Sequence, residues 1–379
     1  MQLETGVLID VLLALGAALV MSFAATPIIK LFAQRVGAMD VPDSARRVHD
    51  HPIPRMGGMA IFIGFLLSVV LFGAVTKPVQ GILLGAVLIV AVGAIDDVVS
   101  LSWWVKLLAQ IAAAVVAAWH GVLIENFMNP VVFDNDVVLH LGFLSFPITV
   151  LWIVAITNSV NLIDGLDGLA AGVSTIAGVT MLVIALMVAD AEVAVLLAAL
   201  VGACIGFLPY NLNPAKIFMG DTGALLLGYV LSTASVLGLF KFYAVVSFAV
   251  PFLVLAVPLF DTVFAFFRRL FTGRNPMKPD RGHFHHRLLD MGLSQKQAVA
   301  VLYVISAFLG LAAVVVTTSG ELKALLLLAA FAAACIIAGF LMRQRRAHEA
   351  QNAHTDPGGN TQAGTPESGG PDAGDGHEE

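Results

Sequence analysis

Acidic residues stand at unexpected places in a chain that is otherwise strongly apolar. Asp96 and Asp97 end one apolar segment, and Asp261 lies within another. A carboxylate next to lipid is costly unless it meets a cation or water. Side chains of adjacent helical residues point about 100° apart, so Asp96 and Asp97 would not both face the same ligand in the same way. We interpret Asp96 and Asp97 as a candidate cation site, with a hydrated helix end as the alternative. For Asp261, a functional and a structural role are both open.

A second polar cluster interrupts the apolar sequence with the letters NSVNLIDGLDG. Its polar members are Asn158, Asn161, Asp164 and Asp167. Gly165 and Gly168 weaken helical structure at this point, because glycine loses much conformational entropy on ordering. A turn with two carboxylates and two amides can coordinate a metal ion or bind a nucleoside. A glycine-rich connector with hydrated acids is the alternative.

A third cluster, between Asn211 and Gly223, leads directly into an apolar segment. We expect Asp221 or Thr222 to cap the helix that follows. A helix N-terminus flanked by glycines suits the approach of a phosphate, and Lys216 would add positive charge. Capping and metal binding by the aspartate do not exclude each other.

The fourth cluster is basic and follows several arginines along the chain. Its candidate ligands are Arg281, His283, His285 and His286. Guanidinium groups suit phosphate oxygens, and imidazoles can donate hydrogen bonds to a diphosphate. Zinc is the competing interpretation, which the local density of arginine opposes. A smaller basic strip, residues 46–55, is interpreted as a contact with lipid headgroups rather than with an anionic substrate.

Lipid must cover much of this chain, because its composition is too apolar for a soluble protein. Hydrophobic residues make up 59% and charged residues 12%, against roughly 25% charged residues in soluble domains. Cys204 and Cys335 lie within apolar runs, a pattern that offers neither a disulfide framework nor a metal-ligand spacing. The N-terminal segment lacks the features of a cleaved signal peptide, so we expect a retained helix.

The elements that must position the polar clusters are eleven apolar segments. They cover residues 6–30, 57–76, 79–95, 103–120, 144–158, 168–189, 192–208, 223–240, 243–266, 298–317 and 322–342. Most approach the ~20 residues that a membrane-spanning helix needs, and backbone groups in lipid must be satisfied internally. The sequence therefore predicts an all-α integral membrane protein with about eleven transmembrane helices.

The distribution of Lys and Arg predicts the orientation of these helices. With the N-terminus outside and the C-terminus cytoplasmic, 17 of the 20 Lys and Arg residues fall on the inner side, as the positive-inside rule requires. Every polar cluster then falls on the cytoplasmic side of a plasma membrane. We expect residues 1–346 to form the transmembrane domain and residues 347–379 to form a disordered acidic cytoplasmic tail, because the tail has too few apolar residues to order it.

Carboxylates, a phosphate-compatible helix start and an Arg/His cluster on one membrane face indicate phosphoryl transfer with a divalent metal. Mg²⁺ prefers oxygen ligands and Mn²⁺ is an alternative. Helix ends at the membrane surface suit one lipid-borne reactant and one water-soluble anion. An ion-coupled transporter is a rival interpretation, although it would place ionisable groups near the bilayer midplane. A regulatory protein that binds anionic lipid is a second rival.

Four motifs give the chain a family resemblance over roughly residues 5–342. Asp96-Asp97 with Lys106 downstream, NSVNLIDGLDGLAAG, IFMGDTGALLLG and GHFHHRL occur in the order typical of that family. The chain resembles polyprenyl-phosphate N-acetylhexosamine-1-phosphate transferases of the WecA/TagO type, relatives of phospho-N-acetylmuramoyl-pentapeptide transferase. Phe284 stands where the WecA/TagO type commonly has an aliphatic residue, whereas the pentapeptide enzymes have consecutive histidines.

The resemblance implies transfer of GlcNAc-1-phosphate from UDP-GlcNAc to a polyprenyl phosphate in a bilayer, with release of UMP. UDP-GalNAc, a bacillosamine derivative and UDP-MurNAc-pentapeptide are alternative donors. It implies that Asp221, with Asp97, binds Mg²⁺, that Asp96 or Asp97 handles the lipid phosphate, and that the histidines engage the diphosphate or sugar. Uridine contacts fall to Asn161, Asp164 and Phe218. Further candidates are Asp167 for catalysis, and Lys106, Asn158, Lys216 and Arg281 for substrate binding. No nucleic-acid partner is expected, and a homodimer is open.

Overall fold

The computed structural model describes residues 5–41, 51–128, 138–238, 245–271 and 284–317, together with isolated helical positions between 323 and 337. The chain divides into two units, Met1–Leu327 and Leu328–Glu379. All that follows concerns the first unit. The predicted eleventh segment and the predicted acidic tail lie essentially outside the described residues.

Helices dominate the described residues, in agreement with the predicted all-α membrane class. They are α1 (Thr5–Val36), α2 (Gly58–Phe72), α3 (Lys77–Val99), α4 (Trp103–Trp119), α5 (Ser145–Ile163), α6 (Leu169–Met187), α7 (Ala191–Asn211), α8 (Gly220–Gly238), α9 (Val245–Val254), α10 (Ala256–Phe271), α11 (Phe284–Asp290) and α12 (Gln295–Thr317). Seven helical stretches in this part of the chain are long and apolar enough to cross a membrane, and α2 and α4 are shorter apolar helices.

Two short antiparallel hairpins interrupt the helices. Strands β1 (Met39–Asp40) and β2 (Ile53–Pro54) pair between α1 and α2, and β3 (Asn126–Met128) and β4 (Val138–His140) pair between α4 and α5. The first hairpin lies beside the candidate site, where the sequence suggested only a strip facing lipid headgroups.

The ninth predicted segment, residues 243–266, was expected to form one helix and instead forms two. Helix α9 ends at Val254 and α10 begins at Ala256. Pro258 has no N–H to donate to the carbonyl of Val254, so a continuous helix would lose a hydrogen bond there. Helix α10 carries Asp261.

Helix α8 is the buried centre of the polar end of the bundle and packs against α2, α3 and α5. Glycines make these approaches possible. A Cβ atom on Gly58 would lie 2.0 Å from the backbone nitrogen of Gly223, and one on Gly93 would lie 2.6 Å from Cα of Thr222. Such contacts bring the end of α3 and the start of α2 onto the first turn of α8.

Candidate active site

The start of α8 is capped by a carboxylate from another helix. The Asp97 side chain, at the end of α3, accepts hydrogen bonds from the backbone N–H groups of Asp221 (3.0 Å) and Thr222 (3.2 Å). It also accepts the Thr222 hydroxyl at 2.5 Å. Both carboxylate oxygens of Asp97 are therefore engaged by groups that a helix N-terminus otherwise leaves unsatisfied. The expectation that Asp221 or Thr222 caps this helix is wrong, because both lie inside its first turn.

Asp96 points away from its neighbour, as two adjacent helical residues should. One of its oxygens accepts the backbone N–H of Leu101 at 2.6 Å. The other lies 3.2 Å from the Lys106 ammonium, which also lies 2.8 Å from an Asp221 oxygen. A single ammonium thus stands between two carboxylates from different helices, at the place where the sequence predicts a metal ion.

The turn between α5 and α6 brings two further carboxylates to this end of the bundle. Helix α5 ends at Ile163 and α6 begins after Gly168, whose φ of 76° lies in the left-handed region. Burial and the nearby carboxylates of Asp221, Asp97 and Asp167 raise the pKa of Asp164 to about 8. Desolvation and like charges both disfavour the ionised carboxyl group. A bound cation would therefore be favourable at this turn.

Asp167 organises the loop that leads into α8. Its carboxylate accepts the side-chain amide of Asn213 and the backbone N–H of Ala215, both at 3.0 Å. The Asn213 amide also donates to Gln295, at the start of α12, at 2.7 Å. Its predicted catalytic role stays a prediction, and the observed contacts hold three segments of the site together.

The two asparagines of the same motif have different surroundings. Asn158 exchanges hydrogen bonds with Gln110 of α4, at 2.5 Å and 3.3 Å. The side chain of Asn161, almost one turn further along α5, lies near the Asp221 carboxylate. The structure thus places Asn161 beside the carboxylate cluster, whereas Asn158 faces another helix.

A polar cavity of about 360 Å³ opens over these carboxylates. Five residues predicted from the sequence line it: Asp97, Asp164, Asp167, Phe218 and Asp221. Its other polar side chains are His51 and Arg55 of the basic strip, Asn211 and Asn213 of the third cluster, and Asp40 and Gln295, which the sequence interpretation missed. Lys216 is exposed and, among the described residues, lies outside this lining.

The loop between α1 and α2 forms one wall of this cavity and is joined to the IFMGD segment. The backbone N–H of Phe218 donates to Pro54 at 2.8 Å, and that of Gly57 donates to Phe218 at 2.9 Å. The Arg55 guanidinium donates from Nε to the backbone oxygen of Asp97 at 3.0 Å. Arg55 and His51 line the cavity, a position that favours the alternative of an anionic substrate over lipid headgroups for these two residues. The sequence feature that could have indicated this position is the Pro-Arg-Met-Gly-Gly segment, which follows two histidines.

The histidine cluster approaches the carboxylates from the other side. His285 is buried, and its ring centroid lies 4.4 Å from that of His286. A Cβ atom on Gly165 would lie 2.5 Å from Nε2 of His285, so the imidazole touches the turn that carries Asp164. Arg281 and His283 lie outside the described residues.

A second cavity, of about 400 Å³, is almost entirely apolar. Its walls come from the ends of α5 and α6, from α10 and from α12, with His285 and Arg287 contributing polar atoms. Gly165 lines the polar cavity, and His285 lines the apolar one. Because these two residues touch, the two cavities lie next to each other at this contact.

Comparison with known proteins decides the family. Residues 79–239 match the model of glycosyl transferase family 4. The "Probable undecaprenyl-phosphate N-acetylglucosaminyl 1-phosphate transferase" of Bacillus subtilis is 42% identical over 82% of this chain and 86% of its own length. The chain belongs to glycosyl transferase family 4.

Other relatives within the family share less sequence. The decaprenyl-phosphate N-acetylglucosaminephosphotransferase of Mycolicibacterium smegmatis is 36% identical over 77% of this chain and 78% of its own. A phospho-N-acetylmuramoyl-pentapeptide-transferase of Desulforudis audaxviator is 32% identical over 80% of this chain and 98% of its own. The resemblance stated from the four motifs is thereby confirmed.

The carboxylates of this family 4 chain are oxygen ligands of the kind that Mg²⁺ accepts. Among the described residues, no three His, Cys, Asp or Glu side chains are arranged as a ready-made metal cage. Mg²⁺ needs no such set, because one or two carboxylates together with waters and substrate phosphates suffice. The bridging ammonium of Lys106 and the raised pKa of Asp164 both mark a place that favours positive charge.

Proposed function

We propose that this chain transfers GlcNAc-1-phosphate from UDP-GlcNAc to a polyprenyl phosphate, with release of UMP. The single observation that carries this proposal is the meeting of a carboxylate-lined cavity with an apolar cavity at Gly165 and His285. A soluble nucleotide sugar suits the first cavity and a prenyl chain suits the second. Their reacting phosphates would meet where the cavities adjoin.

In this reaction, an oxygen of the lipid phosphate attacks the β-phosphorus of the nucleotide sugar. A new P–O bond forms, the bond from the β-phosphorus to the bridging oxygen breaks, and UMP leaves with that oxygen. The second pKa of a phosphate monoester is about 6, so the lipid phosphate is mostly dianionic at neutral pH. It carries no proton that a strong base must remove. Positioning and charge neutralisation are the main tasks of the protein.

The carboxylates divide these tasks among them. In the proposal, Asp221 holds Mg²⁺ or Mn²⁺, and Asp97 fixes the helix turn that presents Asp221 and contributes as a second ligand only if one of its hydrogen bonds is exchanged. When bound, the ion neutralises phosphate oxygens during the transfer. Asp96 keeps the Lys106 ammonium beside Asp221, where it can meet a phosphate when Asp221 takes the ion.

The remaining side chains hold the two substrates. Phe218 lines the polar cavity with Asp164 and Asp167, and its aromatic ring suits uracil. His285 lines the apolar cavity and touches Gly165 of the polar one, and the His286 ring lies 4.4 Å from it. In the proposal, both imidazoles donate hydrogen bonds to the diphosphate or the sugar. Phe260, Leu302 and Leu309 give the second cavity its apolar walls for the lipid chain.

The proposed location is the plasma membrane, with the site facing the cytoplasm, since nucleotide sugars are soluble anions and the Lys and Arg distribution favours that side. The homodimer stays a prediction, for which a mass measurement in detergent is the test. Membership in a transferase family favours transfer over the transporter and lipid-binding alternatives.

The experiment that tests the function measures UMP release by purified protein with undecaprenyl phosphate and Mg²⁺. Donors are UDP-GlcNAc, UDP-GalNAc and UDP-MurNAc-pentapeptide, each with and without the lipid acceptor. We expect the highest kcat/KM with UDP-GlcNAc, release that depends on the lipid, and a lipid-diphosphate-sugar product in the mass spectrum. Turnover of another donor alone would refute the assigned sugar, and UMP release without lipid would refute the acceptor.

A further inference from the structure

The short helix that carries the histidines is held at its first residue by a buried aspartate. Oδ1 of Asp261, on α10, accepts the backbone N–H of Phe284 at 2.7 Å. This N–H is one of those that a helix N-terminus leaves without an intrahelical acceptor. A hydrogen bond to a carboxylate is stronger than one to a neutral acceptor, and negative charge is favourable at this end of a helix.

A second contact lies one turn further along both helices. The guanidinium carbon of Arg287 lies 4.9 Å from the ring centroid of Phe264. Asp261 and Phe264 are three residues apart on α10, and their partners Phe284 and Arg287 are three residues apart on α11. Residues at this spacing lie on one face of a helix. Two such contacts fix both the position of α11 along α10 and its rotation about its own axis.

The rotation of α11 decides where His285 points. His285 and Leu288 are buried on one side of this helix, and Phe284 and Arg287 are exposed on the other. The buried imidazole reaches Gly165, at the point where the polar and apolar cavities adjoin. A change in the rotation or height of α11 would therefore move this imidazole away from the substrates.

We propose that Asp261 is a positioning residue, which holds α11 so that His285 faces the turn of Asp164 and Gly165. This inference rests on the proposed function and assigns a role to a residue that the sequence left undecided. Asp261 lines the apolar cavity, but a carboxylate repels the phosphate of the lipid acceptor. It therefore acts through the helix it holds and not as a ligand of the substrate.

The first test compares Asp261→Ala with Asp261→Asn in the full-length protein. The alanine variant loses the acceptor of the Phe284 N–H, and we expect kcat to fall about 10²-fold, a typical cost of misplacing a reacting group. The KM values for UDP-GlcNAc and for undecaprenyl phosphate should stay within about twofold. The asparagine variant keeps an acceptor oxygen and should recover most of the lost kcat. Val263→Ala, an exposed neighbour on α10, is the matched control.

A double-mutant cycle separates positioning from a general structural role. If Asp261 acts through His285, adding Asp261→Ala to a His285→Ala variant should lower kcat by less than about threefold further, because both changes remove one effect. Phe264→Leu removes the ring under Arg287 and should show a smaller loss of kcat with the same non-additivity. This variant and Asp261→Asn decide the question if Asp261→Ala does not give monodisperse protein in detergent.

Additive losses in the double variant would overturn the positioning role. So would a raised KM for the lipid with unchanged kcat, since that pattern indicates direct contact with the acceptor. The wild-type protein in the same assay separates this inference from the proposed function. Wild-type protein that makes no lipid-diphosphate sugar refutes the function, whereas active wild type with a fully active Asp261→Ala variant refutes only the positioning role.

Discussion

At both ends of the candidate active site, a carboxylate accepts hydrogen bonds from the start of a helix, but the surroundings of the two carboxylates differ. On the carboxylate side, Asp97 caps α8; on the histidine side, Asp261 caps α11. Each carboxylate comes from a neighbouring helix and fixes the first turn of the helix that carries the reactive groups. In both places, a buried acid accepts a hydrogen bond from the start of a helix; the sequence suggested chemistry for Asp97 and left the role of Asp261 open.

The difference lies in what encloses each cap. Thr222, beside Asp97, is fully buried, and glycine contacts at Gly58 and Gly93 bring backbones together without space between them. Both caps also line a cavity: Asp97 lines the polar cavity of about 360 Å³, and Asp261 lines the almost entirely apolar cavity of about 400 Å³, with exposed aromatic side chains along α10. A cation and a diphosphate need fixed ligands, whereas a long prenyl chain needs an opening that a packed core would not provide. The comparison therefore contrasts a polar side, where helices meet at glycine contacts, with an apolar side, and it matches the proposed places of the nucleotide sugar and the prenyl chain.

The largest effect is expected on the carboxylate side, at the proposed metal ligand. Asp221→Asn keeps the side-chain shape but removes the charge that would hold the ion, and should lower kcat at least ~10³-fold, comparable to removing a main electrostatic contact. EDTA should abolish wild-type UMP release, and added Mg²⁺ should restore it. The matched control is Asp10→Asn, an exposed acid near the start of α1. Unchanged turnover after either treatment would refute the metal assignment.

A smaller loss is expected from the cap of α8, accompanied by a loss of stability. Asp97→Asn replaces one acceptor oxygen by an NH₂ group, which leaves a buried donor of Asp221 or Thr222 unpaired at a cost of ~1–3 kcal/mol. We expect a lower melting temperature in detergent and kcat reduced about 10²-fold, since Asp221 loses its support. Thr222→Val removes only the hydroxyl donor and should be milder. A stable but inactive Asp97→Asn variant would indicate direct catalysis instead.

The junction of the two sides is tested at Gly165. In Gly165→Ala the new methyl group would lie 2.5 Å from Nε2 of His285 and displace the imidazole. We expect kcat to fall roughly tenfold with little change in melting temperature, because the clash involves a side chain and not packed backbone. The control is Gly16→Ala, where nothing lies within 4 Å of the added methyl group. Full activity of the Gly165 variant would mean that His285 needs no fixed position.

The smallest effect concerns the pH dependence of metal binding. The pKa of Asp164 is about 8 in the metal-free protein, so its carboxyl group is mostly protonated at pH 7. A bound dication favours the ionised form, and its apparent affinity should therefore rise about tenfold between pH 7 and pH 9. The Mg²⁺ concentration that gives half-maximal UMP release measures this. In Asp164→Asn, the required Mg²⁺ concentration should change little with pH. A steep pH dependence in that variant would mean that a group other than Asp164 titrates.

Much of the architecture follows from the sequence, because lipid imposes simple constraints. Uninterrupted apolar segments must be helices, and ten of the predicted segments coincide with described helices. The ninth was wrong in one respect, since Pro258 divides it into α9 and α10. Alternation of the helices also predicted that the polar clusters would share one end of the bundle, and the contacts between Asp97, Lys106 and Asp221 confirm it.

What the sequence determined by itself was the chemistry available: which carboxylates, imidazoles and basic groups the chain carries, and that they lie at helix ends. Only the tertiary structure decided which of them meet. It placed Asp97 on the α8 backbone, Asp261 on the α11 backbone and Arg55 beside the site. The physical reason is that periodicity reports which face of a helix is apolar, whereas close packing between backbones selects its neighbours and the side chains that satisfy its ends.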